Sequence, residues 1–199
     1  MKYVFEDFNI ENNNSKVMFS APHCFPQFRN GKIKSAEPKT RFLIEGFSQA
    51  FNCSCIYKTK FYNNDPNWDE ESTYKEQLVG FISENNVKFL FDIHSMYFER
   101  PVDICIGINS GKNILERYDI LDIIVNSFKK AGFETVLVDN PFSASNPNTV
   151  SAYVSNKCLI PCFQIEINNK FLPNNCDISH SDLLYKSFEN ILNSITHFE

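Results

Sequence analysis

Phe89-Leu90-Phe91-Asp92-Ile93-His94-Ser95 is the stretch that decides the fold. With Val87 before it, the segment Val87 to His94 reads as a short apolar strand. Near-continuous apolar runs of this length belong to parallel sheets, whose faces are both covered by helices. This one ends on an imidazole. In open α/β sheets, ligands bind beyond the carboxyl ends of the strands, so His94 stands where chemistry is done.

The flanking sequence supplies the rest of such a sheet. Lys16 to Ala21 reads as a buried strand ending at Pro22, Cys53 to Thr59 as a second, and Val102 to Ile108 as a third. Glu134 to Val138 and Cys162 to Ile167 complete the set. Helices lie between them. Leu43, Ile44, Phe47, Ala50 and Phe51 share one face of a helix over Pro38 to Phe51, with proline in the first turn, where its missing N–H costs nothing. Ser72 to Glu84 is a helix with Ser72 as N-cap. Asp119 to Ala131 is amphipathic and closed by Gly132. Leu184, Phe188, Ile191, Leu192 and Ile195 repeat with the helical period near the end of the chain. Strands alternating with helices of this length predict an α/β fold of three layers, α/β/α, with a mostly parallel sheet. The stretch through Asn14 is mixed and polar, and Cys24 to Glu37, broken by Pro26, Asn30 and Gly31, reads as a long loop. Loops of that length are usually functional or disordered.

Composition narrows the class. The 199 residues fit one domain, 43% of them are hydrophobic, and 20 Phe and 8 Tyr supply an aromatic core. No internal repeat or linker interrupts the chain. A net charge of −5 without a clustered basic face argues against a nucleic-acid partner. No stretch approaches the ~18 apolar residues that span a bilayer, and Met1 to Ile10 carries no apolar targeting core. The expectation is a cytoplasmic protein with no membrane partner. The seven cysteines lack the paired spacing of a zinc finger and read as small buried hydrophobes.

Candidate chemistry starts from the four histidines. His23 follows the first buried strand and His94 ends another, and two imidazoles at separate strand ends suit a metal that needs convergent nitrogens. Asp92 shares a strand face with His94, where it either orients the imidazole as a supporting carboxylate or caps a backbone group. In Cys162-Phe163-Gln164-Ile165-Glu166-Ile167-Asn168, Gln164, Glu166 and Asn168 share one face. Burying Glu166 is costly unless it is paired or functional; a general base is one reading, a solvated edge strand the other. Glu37 precedes Pro38, where an acid complements the helix dipole, unless the loop before it folds back toward His23. Arg100 suits an anionic substrate or a plain surface charge. Asp65-Pro66-Asn67-Trp68-Asp69 has the composition of a turn. Motifs of helical metalloproteases, serine α/β-hydrolases, P-loop NTPases and dinucleotide enzymes are absent.

Several blocks, in order, resemble the N-formylglutamate amidohydrolase family. They are Ser20-Ala21-Pro22-His23, Arg29-Asn30-Gly31-Lys32-Ile33-Lys34 with Glu37 and Thr40, Asp92-Ile93-His94-Ser95-Met96 with Asp103 and Gly107, Asn140-Pro141-Phe142-Ser143, and Gln164-Ile165-Glu166-Ile167-Asn168. The similarity runs from about Val17 to Phe171. It implies a fold like that of zinc carboxypeptidases and aspartoacylases, a mixed sheet between helices. It further implies one Zn2+ held by His23, Glu37 and His94, with Glu166 as general base and Arg100 and Asn67 toward the substrate. The implied reaction is hydrolysis of the amide bond of an N-acyl amino acid or small peptide-like substrate; a carboxypeptidase-like peptidase and a non-catalytic metal-binding domain are the alternatives. The family often carries arginines where this chain has Trp68 and, nearby, Ala152, which weakens the expectation of N-formylglutamate itself.

Overall fold

A computed structural model describes residues 1–173 and 181–195. Its strands are β1 (Lys2–Val4), β2 (Phe8–Glu11), β3 (Val17–Ala21), β4 (Gln27–Arg29), β5 (Lys32–Lys34), β6 (Ser54–Lys58), β7 (Phe89–Met96), β8 (Ile104–Gly107), β9 (Val136–Val138) and β10 (Cys162–Asn168). Its α-helices are α1 (Pro38–Phe51), α2 (Thr73–Glu84), α3 (Tyr118–Ala131), α4 (Val150–Cys158) and α5 (Asp182–Ile195).

Eight strands form one sheet in the order β1-β2-β6-β3-β7-β10-β8-β9. The central four, β6, β3, β7 and β10, are mutually parallel. Antiparallel pairing of β1 with β2, β2 with β6 and β8 with β10 makes the sheet mixed. The expected three-layer architecture is present, and β7 lies at its centre.

Period-two alternation divides the two faces. Phe89, Phe91 and Ile93 of β7 join Phe163, Ile165 and Ile167 of β10 in a core closed by α1, α3 and α5. Phenyl rings dominate it: the centroids of Phe19 and Phe47 are 5.2 Å apart, and those of Phe47 and Phe188 4.6 Å. Burying each such ring is worth about 1.5–3 kcal/mol. On the opposite face Met18, Ile56 and Leu90 pack against Tyr74, Leu78 and Val154 of α2 and α4. Toward the carboxyl ends of the strands, that second face turns polar, through Ser20, Asp92, His94, Gln164 and Glu166, all buried.

Five elements escaped the sequence reading. Phe8-Asn9-Ile10-Glu11 alternates for only four residues, too few to stand out from a mixed segment, yet it pairs with β6 as β2, and β1 pairs onto it. The long loop folds into the β4–β5 hairpin, turned at Asn30 and Gly31, both with positive φ. Helix α4 (Val-Ser-Ala-Tyr-Val-Ser-Asn-Lys-Cys) is rich in β-branched and serine residues of modest helix propensity. It forms because Thr149 Oγ1 accepts the Ala152 N–H and its buried face packs on β10 and α2. Ser72 does occupy the N-cap of α2, but its hydroxyl makes no capping bond. The six described cysteines are free, five of them buried as expected; Cys176 lies outside the described residues.

Candidate metal centre

His23 lies two residues beyond β3, and His94 sits on the neighbouring strand β7. Their rings meet edge to face with centroids 4.7 Å apart. Glu37 reaches both. Its Oε1 is 3.1 Å from His23 Nδ1 and its Oε2 is 3.4 Å from His94 Nδ1. The loop does fold back. The Glu37 N–H donates to the His23 carbonyl at 2.7 Å, and Glu37 Oε2 accepts the Ser95 N–H at 2.7 Å. Glu37 is the N-cap residue of α1 but makes no capping bond with its side chain, whose oxygens go to His23, His94 and the Ser95 N–H instead.

The far nitrogens are held as well. His23 Nε2 is 2.9 Å from Asp65 Oδ1, and His94 Nε2 is 3.1 Å from Asp92 Oδ2. Each imidazole thus turns Nε2 to a buried carboxylate and Nδ1 to the common point. One ligand atom from each of His23, Glu37 and His94 lies within 4.8 Å of the others, the only such cluster among the described residues. Two imidazoles, one carboxylate and two carboxylates behind the rings fit a divalent cation of the zinc type.

Electrostatics follow from packing positive and negative groups out of water. Burial works against ionisation of Glu37, but His94 and His23 overcome it and hold its pKa at about 2. Burial opposes charge on both imidazoles too. Asp65 and Glu37 nevertheless raise His23, and Asp92 and Glu37 raise His94 well above the ordinary value. Asp65 resists its own burial through His23 and Arg29 and is held at about 2. Glu166 is the exception: burial dominates and lifts it to about 7.

Glu166 stands opposite His94 in the β7–β10 register, so both side chains point to the same face. The solvated-edge alternative fails because β10 is central and every residue in it is buried. Gln164 Nε2 donates to Glu166 Oε1 at 2.9 Å. A cavity of about 490 Å³ opens over the cluster and is lined by His23, Glu37, His94, Glu166, Asn67 and Arg100, among others. Larger cavities of about 640 and 660 Å³ are lined by Lys16 and Phe89 and contain no histidine, so volume alone does not mark the site.

The remaining candidates divide. Arg100 lines the cavity with its guanidinium 5.0 Å from the centre of the Phe142 ring. Asn67 is buried, its Oδ1 accepts the Val150 N–H at 2.7 Å, and its Nδ2 lies 3.5 Å from His94 Nε2. Asp92 turns Oδ2 to the His94 ring rather than to a backbone group. Asp103 accepts the Glu134 and Thr135 N–H groups and pairs with Lys170, away from the cluster. At Gly107 a Cβ would lie 3.0 Å from the Phe142 carbonyl, so the segment carrying Phe142 would have to shift by a few tenths of an ångström to admit one. Asp65 went unrecognised. Turn composition accounts for its segment, and its partner His23 is 42 residues away, beyond any local pattern.

No family model matches the chain, and no curated protein is similar to it in sequence. Solved structures are similar in fold. An N-formylglutamate amidohydrolase from Ralstonia eutropha JMP134 superposes with a TM-score of 0.60 at 12% identity, over 97% of this chain and 98% of that one. A bacteriophage poly-gamma-glutamate hydrolase gives 0.59 at 16% identity, over 98% and 91%. The fold is carboxypeptidase-like. A metallo-carboxypeptidase from Burkholderia cenocepacia also shares it, at 0.61 and 14% identity, over 96% of this chain and 61% of that one. Within this carboxypeptidase-like fold, the positions where arginines were sought are otherwise used. Trp68 lies against the Arg29 guanidinium, 4.8 Å from ring centre to Cζ, and Ala152 is buried in the first turn of α4.

Proposed function

We propose that this protein is a zinc-dependent hydrolase that cleaves the amide bond of an N-acyl amino acid or small peptide-like substrate. The observation that carries the reading is the shared cavity: three convergent donors and a second carboxylate, Glu166, on the adjacent strand. The likeness to amidohydrolases and carboxypeptidases in fold supports it.

Zinc held by His23, Glu37 and His94 would supply a Lewis acid for the amide carbonyl and lower the pKa of the attacking water. Glu166, lifted to about 7 by burial, accepts a proton from that water and returns it to the leaving nitrogen. Gln164 donates to one Glu166 oxygen and so orients the carboxylate, leaving the other for the water. Asp65 and Asp92 keep the two Nδ1 atoms turned inward. Arg100 takes the substrate's carboxylate. Asn67, its carbonyl committed to Val150 and its amide nitrogen beside His94 Nε2, lines the cavity on the substrate side. The setting we assign is the cytoplasm, where thiols such as these stay reduced.

Metal analysis of untagged protein, with and without added zinc, tests the centre. Stoichiometric zinc, lost in His94→Ala, is expected; wild-type protein that neither carries nor gains metal overturns the reading.

A further inference from the structure

Large apolar side chains exposed singly on a surface need no explanation, but several around one concavity do. Ile33 on β5 is 68% exposed and belongs to none of the core clusters. Strand β5 is exposed throughout, so burial does not account for an isoleucine between Lys32 and Lys34. Tyr97, directly after β7, is 64% exposed. Both line the cavity that contains His94 and Glu166. Their surface continues inward through Met96 and Phe142, which line the same cavity and pack with Val102 and Cys105.

The positive charge of that cavity is unevenly available. Arg29 is committed to Asp65 at 2.7 Å. Lys34 and Arg100 both line the cavity and both are exposed, so solvent and salt screen each charge. Arg100 has no acidic partner among the described residues and rests instead on the Phe142 ring. Its segment is fixed: the Arg100 N–H donates to the Tyr97 carbonyl at 3.2 Å, and the Arg100 carbonyl accepts from Asn168 Nδ2 at 3.1 Å. Of the two, Arg100 is the one seated on the apolar wall itself, against Phe142, which matches a ligand that joins a carboxylate to an apolar group.

We propose that the site selects amino-acid derivatives with an apolar or aromatic side chain, seated on Ile33, Tyr97 and Phe142, with the free α-carboxylate paired to Arg100. The inference rests on reading this cavity as the substrate site. A glutamate side chain placed on the same wall would gain no apolar contact at its carboxylate and would share the cavity with Glu37 and Glu166.

Calorimetric binding of N-formyl-L-phenylalanine, its C-terminal amide and N-formyl-L-glutamate to chelator-treated protein tests the proposal without turnover. N-formyl-L-phenylalanine is expected to bind about tenfold or more tighter than either of the others, the fold-change that burying most of a phenyl ring provides. Arg100→Gln should erase the difference between acid and amide. Ile33→Ser and Tyr97→Ser, at exposed positions that leave the fold intact, should weaken the phenylalanine derivative and spare the glutamate derivative. Equal or tighter binding of N-formyl-L-glutamate overturns the inference, as does no measurable binding of any probe. A protein that shows the preference yet hydrolyses nothing would refute the hydrolase reading and leave the selectivity standing; a hydrolase that prefers the glutamate derivative would do the reverse.

Discussion

Asp65 holds His23 by its remote nitrogen, 2.9 Å from Oδ1 to Nε2, and so aims Nδ1 of the same ring at Glu37. Asp92 does the same for His94 from within β7. Each pair fixes a ring before any metal arrives, which is how carboxylates behind metal-ligating histidines raise affinity. Asp65→Asn keeps the volume and removes the charge. It should weaken zinc binding by about 10–100-fold, read by competition with a chromophoric chelator. Unchanged affinity would show that Asp65 only shapes its turn.

Glu166 carries the proposed proton transfers. Glu166→Gln should lower the hydrolysis rate by about 10²–10⁴-fold while zinc content stays stoichiometric. Because the working form is the ionised carboxylate and its pKa is raised to about 7, kcat/KM should fall as pH drops below 7. A rate that holds down to the ordinary carboxylate range would place the base elsewhere.

The same burial has a stability cost with a definite sign. A carboxyl whose folded pKa lies above its unfolded value binds protons more readily when folded, so stability falls as pH rises between the two. For Glu166 that window runs from the ordinary value of 4.5 to about 7. Melting curves of metal-free protein should show Glu166→Gln gaining on wild type across this window, with the gain complete above pH 7. Parallel curves would mean that the side chain is solvated.

Asn168 closes the segment that presents Tyr97 and Arg100. Fully buried, its Nδ2 lies 3.4, 3.1 and 3.0 Å from the carbonyls of Phe98, Arg100 and Val102. Asn168→Ala leaves these acceptors unpaired, at a cost of about 1–3 kcal/mol. Hydrogen exchange should quicken over residues 97–102, and KM should rise more than kcat falls.

In the core, Phe91 stacks between Phe19 and Phe163, with centroid distances of 5.7 and 5.6 Å. Phe91→Ala should cost about 3–5 kcal/mol in denaturant unfolding. A loss below 1 kcal/mol would mean that the neighbouring rings collapse into the space.

Sheet and site were legible to different depths. The strands that became β3, β6, β7 and β10 carry long apolar or alternating patterns, and each was placed to within about two residues. What escaped was short or weakly biased. β1 has three exposed residues, and α4 forms through its Thr149 cap and its packing rather than its propensity. Among site residues, Asp92 and Glu166 could be placed because a neighbour two residues away shares their face. Asp65 and Glu37 could not be placed by spacing, because the residues they serve are reached only through folded loops.

One histidine just after a buried strand and one near the end of another, with a polar face on each of β7 and β10, are properties of the sequence itself, since alternation in a strand is local and survives any arrangement of the sheet. Convergence is not local. The order β3-β7-β10 sets His23, His94 and Glu166 side by side, and a returning loop brings Glu37 within 3.4 Å of both imidazoles. Only tertiary structure decides that, because it depends on backbone bonds such as Glu37 N–H to the His23 carbonyl, between residues whose spacing follows no period.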